Sequence, residues 1–154
     1  MRRIAMRGFT LLEMLLALTL GAILMAVVVP NVMPAIASAQ LSSAARDVAS
    51  GLRFARGQAL SRRQEARFVL DVENRRYQVT GRSKVYDLPS SVNVKLFTAQ
   101  SEYAGEGVGS IRFFPDGTST GGRVTLEGAG RRWWIDINWL TGRISVHEDE
   151  NPTP

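Results

Sequence analysis

Apolar and polar positions fall into three regimes along the 154 residues. From Phe9 to Val29 every residue except Thr10, Glu13, Thr19 and Gly21 is apolar. That is about the twenty residues a helix needs to cross a bilayer. Beyond it, Leu41, Ala45, Val48, Leu52, Ala55 and Ala59 recur every three or four residues, one face of an amphipathic helix, with Arg46, Asp47, Ser50, Arg53 and Arg56 on the rest. Pro30 and Pro34 stand between the two stretches, where a kink or loosened turn is expected rather than an end. The pattern predicts a single helix from about Phe9 to Arg62.

After Arg63 the period shortens to two. Ala66–Val72 and Tyr77–Thr80 flank the polar turn Glu73-Asn74-Arg75-Arg76 and predict a hairpin. Val92, Val94 and Leu96 alternate as a strand, followed by a glycine-bearing loop from Thr98 to Ser110. Strands are predicted at Ile111–Phe114, Arg123–Leu126, Arg131–Leu140 and Arg143–Val146, separated by Pro115-Asp116-Gly117, Glu127–Gly130 and Thr141-Gly142. Trp133, Ile135, Ile137 and Trp139 share one face and are expected in the core. Trp134 shares the other face with Asp136 and Asn138, where it covers a sheet edge or marks a subunit contact. The fold class is α+β: a long N-terminal helix, then an antiparallel β-sheet domain. Its boundaries are a leader over 1–8, an apolar helix over 9–29, its amphipathic continuation over 30–63, the β domain over 64–147 and an acidic, proline-bearing tail over 148–154.

Charge changes the picture less than its size suggests. The net charge is +5, but Arg2, Arg3 and Arg7 precede the apolar run, where they predict a cytoplasmic N-terminus and export of the chain beyond Val29. The chain has no cysteine, so neither a disulfide framework nor a thiolate metal site is available.

The first thirty residues admit three readings. AIASA, Ala35–Ala39, offers small-residue sites of the signal-peptidase kind, and a plain single-pass anchor would explain the length. Neither explains Glu13, since a buried aspartate costs about 2.5–3.5 kcal/mol at the centre of a membrane helix. A basic leader ending in Gly8, then Phe9-Thr10-Leu11-Leu12-Glu13 and a long apolar helix, resembles the N-terminus of type IV pilins and type II secretion pseudopilins. The resemblance implies cleavage between Gly8 and Phe9 by a prepilin peptidase and methylation of the new amine at Phe9. Pro30 stands where these proteins commonly carry a helix-interrupting proline. A cationic amine at Phe9 gives Glu13 a partner, on the same helix or a neighbouring one; the resemblance favours the neighbour, during assembly.

Phe113-Phe-Pro-Asp-Gly-Thr-Ser-Thr-Gly-Gly-Arg123 and Trp134–Arg143 resemble the domain shared by H-class minor pseudopilins of type II secretion and related minor pilins. The resemblance implies a pilin-like fold. It further implies a structural subunit of the periplasmic pseudopilus that helps move folded exoproteins across the outer membrane. The alternative is a minor type IV pilin acting in pilus assembly or DNA uptake. Implied partners are the other major and minor pseudopilins in a filament, the prepilin peptidase and the inner membrane, which the chain crosses once with its C-terminal domain periplasmic.

Little converges for catalysis. The single histidine, His147, stands among acidic residues without the supporting shell a metal site needs. Thr118–Thr120 lack the lysine and helix of a phosphate loop and read as a turn. No enzyme activity, cofactor or metal is expected. Nucleic acid would be met by Arg123, Arg131, Arg132 and Arg143 with nearby tryptophans for stacking, although arginines alternating with core positions also guard exposed strands.

Overall fold

The computed structural model describes residues 9–103 and 107–149, with the side chains of 27–32 left aside. Gly8 and the leader lie outside the described residues. Helix α1 (Leu11–Arg62) passes through both prolines without ending. The chain divides into two units, residues 1–36 and 37–154.

In the first unit every described side chain is exposed, on all sides of the helix. Such a surface has no core of its own to face.

In the second unit α1 supplies the predicted stripe: Leu41, Ala45, Val48, Leu52, Ala55 and Ala59 are all fully buried. The strands are β1 (Ala66–Asp71), β2 (Arg76–Val79), β3 (Val85–Asp87), β4 (Asn93–Thr98), β5 (Val108–Phe113), β6 (Gly122–Gly128), β7 (Arg131–Ile137) and β8 (Ile144–Asp149). They form two four-stranded antiparallel sheets, ordered β3-β2-β1-β5 and β4-β6-β7-β8. Phe68, Leu70, Val79, Ile111 and Phe113 of the first sheet, and Val94, Val124, Leu126, Ile135 and Ile137 of the second, join the helix stripe in one core. The helix ends where Arg63 turns left-handed (φ 52), a common way to close a last turn.

Turn chemistry places the hairpins. Asp71 accepts hydrogen bonds from the backbone and side chain of Asn74 and meets Arg76 at 3.1 Å. Those Asn74 bonds, with Arg76, hold its carboxyl below the usual range. At the Pro115-Asp116-Gly117 turn Asp116 takes the Thr118 N–H and hydroxyl, which lowers its own carboxyl pKa. Gly117 there adopts φ 89, a conformation that favours glycine.

Five expectations are corrected. β3 lies between Thr80 and Val92, where no strand is predicted, and extends the first sheet by pairing with β2. The loop after β4 holds a short 3₁₀ turn, Gln100–Glu102, and β5 starts at Val108. Trp139 is not core but 65% exposed. The strand stops at Ile137 because Asn138 Oδ1 accepts from the Leu140 and Thr141 N–H groups and the Thr141 hydroxyl, curling the chain before Trp139 can continue the pleat. Finally, β8 runs on through Glu148 and Asp149, registered opposite Trp133 and Arg132, so the strand reaches past the boundary expected for the tail. Trp134 sits on an interior strand rather than at an edge.

Candidate functional site

Two regions carry the sequence's candidates. At the start of α1, Thr10 caps the first turn: its Oγ1 accepts the Glu13 N–H at 3.3 Å, and its carbonyl accepts from Glu13 and Met14. Thr-x-x-Glu at a helix start is the capping-box spacing, a signal for Thr10 that hydropathy alone passes over. The Glu13 side chain is exposed, with no ion pair among the described residues. Phe9, two residues before the helix, is 80% exposed. Thr19 satisfies its hydroxyl on the carbonyls of Leu15 and Leu16, which removes its cost in an apolar setting. Among the described residues no helix is long and apolar enough to cross a membrane.

The second region is the outer face of the β4-β6-β7-β8 sheet. Strand register lines up Lys95, Thr125, Trp134 and His147 across it, with Asn93, Glu127, Arg132 and Asp149 on one side and Phe97, Arg123, Asp136 and Ser145 on the other. Trp134 and His147 stack, ring centroids 5.5 Å apart. Glu127 lies between Lys95 (3.0 Å) and Arg132 (2.8 Å). The Lys95 bond, helped by Arg132, holds its carboxyl below the usual range. Asp136 is gripped by Arg123 and lies 3.9 Å from His147 Nε2.

These pairs change the meaning of the basic residues. Arg123 and Arg132 share this face, each tied to a carboxylate. Arg131 points to the helix side, where it meets Ser38 at 2.9 Å and Glu148 at 3.2 Å. Arg143 is exposed in the β7–β8 turn, with no ion pair among the described residues. The four arginines do not form one phosphate track. Thr118 and Ser119 are engaged in the turn and in contacts with Phe114, Gly121 and Trp139. Among the described residues no three ligating side chains gather as a metal site would need.

A long helix whose second half packs into two antiparallel sheets, after an apolar first stretch, defines a pilin-like subunit. The N-terminal residues 4–29 match the prokaryotic N-terminal methylation motif. Residues 44–142 match the model of the Type II transport protein GspH family, and the chain belongs to that family of structural pseudopilins. Type II secretion system protein H of Xanthomonas campestris pv. campestris is 34% identical over 149 residues, 97% of this chain and 88% of that protein. Two solved structures share the fold. The minor pseudopilin EpsH from the Type 2 Secretion System of Vibrio cholerae matches with a TM-score of 0.57 at 13% identity, over 70% of this chain and 96% of its own. The type IV minor pilin FimU of Pseudomonas aeruginosa matches with 0.56 at 17%, over 71% and 90%.

Proposed function

We propose that the chain serves as a minor pseudopilin of a type II secretion system, a structural subunit of a periplasmic pseudopilus. The joining of a methylation motif over residues 4–29 to a GspH domain over 44–142 carries this reading. The two fold likenesses, 0.57 and 0.56, do not separate a pseudopilin from a type IV pilin; the 34% relative supports the secretion system.

In this reading a prepilin peptidase cuts between Gly8 and Phe9, and Phe9 is N-methylated. Residues 9–29 hold the chain in the inner membrane, N-terminus cytoplasmic, with the sheet domain periplasmic. The new amine is a cation at the edge of the hydrocarbon, where a lone carboxylate is costly. Glu13, exposed and without an ion pair among the described residues, neutralises the Phe9 amine of a neighbouring subunit and fixes axial register as the filament grows. The filament's growth helps move folded exoproteins through the outer membrane.

The test is intact mass and N-terminal analysis of protein extracted from its native membrane. A chain beginning at N-methyl-Phe9 is expected; one beginning at Met1, or cut near Ala39, overturns the reading. Glu13→Ala is expected to be inserted and cleaved normally but to enter filaments poorly.

A further inference from the structure

We propose that the groove between α1 and the β7–β8 turn docks a carboxylate-bearing segment of a neighbouring pilin-like subunit. This rests on the pseudopilin reading and assigns a contact within it. The groove, about 1020 Å³, brings Arg53 and Arg56 of the helix beside Arg143 of the turn. Arg53 and Arg143 are exposed and have no ion pair among the described residues. Arg56 is fixed: its Nη2 donates to the Thr141 carbonyl at 3.1 Å. Gly142, at φ 57, lets the turn close on the Gly117 carbonyl and on Arg56, since a Cβ there would collide with that carbonyl and lie 3.0 Å from Arg56 Nε. Trp139 lines the groove at 65% exposure, with Leu140 beside it at 59%.

Charge selects the occupant. The carboxylate lining the groove is Asp136, which Arg123 already holds through bonds of 2.6 and 3.2 Å. Guanidinium groups offer planar donor forks suited to carboxylates. An exposed tryptophan next to arginines is the residue mixture enriched where subunits bind most tightly. A long polyanion fits less well. Any nucleic acid continuing from the groove over the sheet would meet Asp136, Glu127 and Asp149, which share the outer face. A short acidic segment confined to the groove meets Arg53, Arg56 and Arg143, with Asp136 already held by Arg123.

The absence of cysteine makes the contact addressable in the full chain, in cells that assemble it. Leu140→Cys, carrying a thiol-linked photocrosslinker, is expected to capture an acidic peptide of another pilin-like subunit, mapped by mass spectrometry. Adding Arg53→Glu and Arg143→Glu should cut capture by about tenfold, within the range of interfacial charge pairs. Reversing the captured carboxylates to lysine should restore it. Arg53→Gln with Arg143→Gln, which keeps the surface polar, guards against misfolding and should also weaken capture. No capture, capture indifferent to these changes, or capture of a neutral or basic peptide or of DNA overturns the proposal. The wider reading fails separately, through a wrong N-terminus or a Glu13→Ala chain that assembles normally; the groove fails with processing and assembly intact.

Discussion

Arg123 grips Asp136 across neighbouring strands, Nε to Oδ1 at 2.6 Å and Nη2 to Oδ2 at 3.2 Å. The pair is partly exposed, 53% and 35% at the side chains, so its contribution to stability is about 0–1 kcal/mol. Its larger effect is on what the face attracts. With Arg123 and Arg132 neutralised by Asp136 and Glu127, the wild-type chain should show no DNA mobility shift of steep salt dependence. Asp136→Asn with Glu127→Gln should create one, while changing the unfolding midpoint little. A strong shift in the wild type would revive the uptake reading.

Glu102 gives the opposite case. Its side chain is 4% exposed and meets Arg112 at 3.0 Å, while Ser110 donates a hydroxyl to it. Arg112 also meets Glu65, whose side chain is 49% exposed. Removing the cation from a buried pair leaves a charge without compensation, so Arg112→Ala should cost about 3–5 kcal/mol. Glu65→Ala, losing only the exposed partner, should cost about 0–1 kcal/mol. Urea denaturation of the two variants in one detergent checks the contrast. Equal losses would mean that the buried carboxylate is not what pins the 3₁₀ turn against β5.

How much of the fold was legible in the sequence depended on how local each cause is. The helix stripe and the hairpins were written in period and turn residues, so Leu41 to Ala59 and the Asp71–Arg76 turn fell where expected. β3 was not, because three residues with an exposed pattern become a strand only when β2 pairs with them. Trp139 was misplaced because the alternation of β7 runs on in the sequence, whereas Asn138 breaks the strand with its own side chain. Glu102 read as a loop carboxylate, since its partner is ten residues away on β5 and only the tertiary fold brings the two together. At the N-terminus, Gly8, Phe9 and Glu13 were legible only through their resemblance to a known processing motif, whereas the Arg53–Arg56–Arg143 groove needed the fold to bring residues some 85 positions apart together.

Tyr77 should make the protein sensitive to alkali. Its ring is buried between Phe68 and Tyr86, each 5.0 Å away, and its hydroxyl donates to the Asp47 carbonyl at 3.3 Å. Burial, helped by the Asp47 charge, pushes the phenol from 10.0 up to about 12. Between those values the unfolded chain releases a proton that the folded chain keeps, so stability is full below pH 10 and falls as pH rises toward 12. Tyr77→Phe should lose about 1 kcal/mol at neutral pH with the hydrogen bond, yet flatten this alkaline decline. An unchanged decline in Tyr77→Phe would assign it to another group.

Two glycines of α1 should respond to alanine with opposite signs. A Cβ on Gly57 meets nothing within 4 Å, whereas one on Gly51 would lie 3.1 Å from both the Phe68 and Tyr77 rings. Gly57→Ala should therefore gain about 0.5–1 kcal/mol from helix propensity alone. At Gly51 the same gain is set against crowding of two stacked rings that are themselves confined, and overpacking a filled core costs about 1–3 kcal/mol. The net effect should be a loss, accompanied by a weakened near-ultraviolet signal from the displaced tyrosine. Thermal unfolding of the two variants side by side decides it. A stabilised Gly51→Ala would show that the first sheet can retreat from the helix at little cost, and that close approach at this point is not what sets the packing of β1 and β2 on α1.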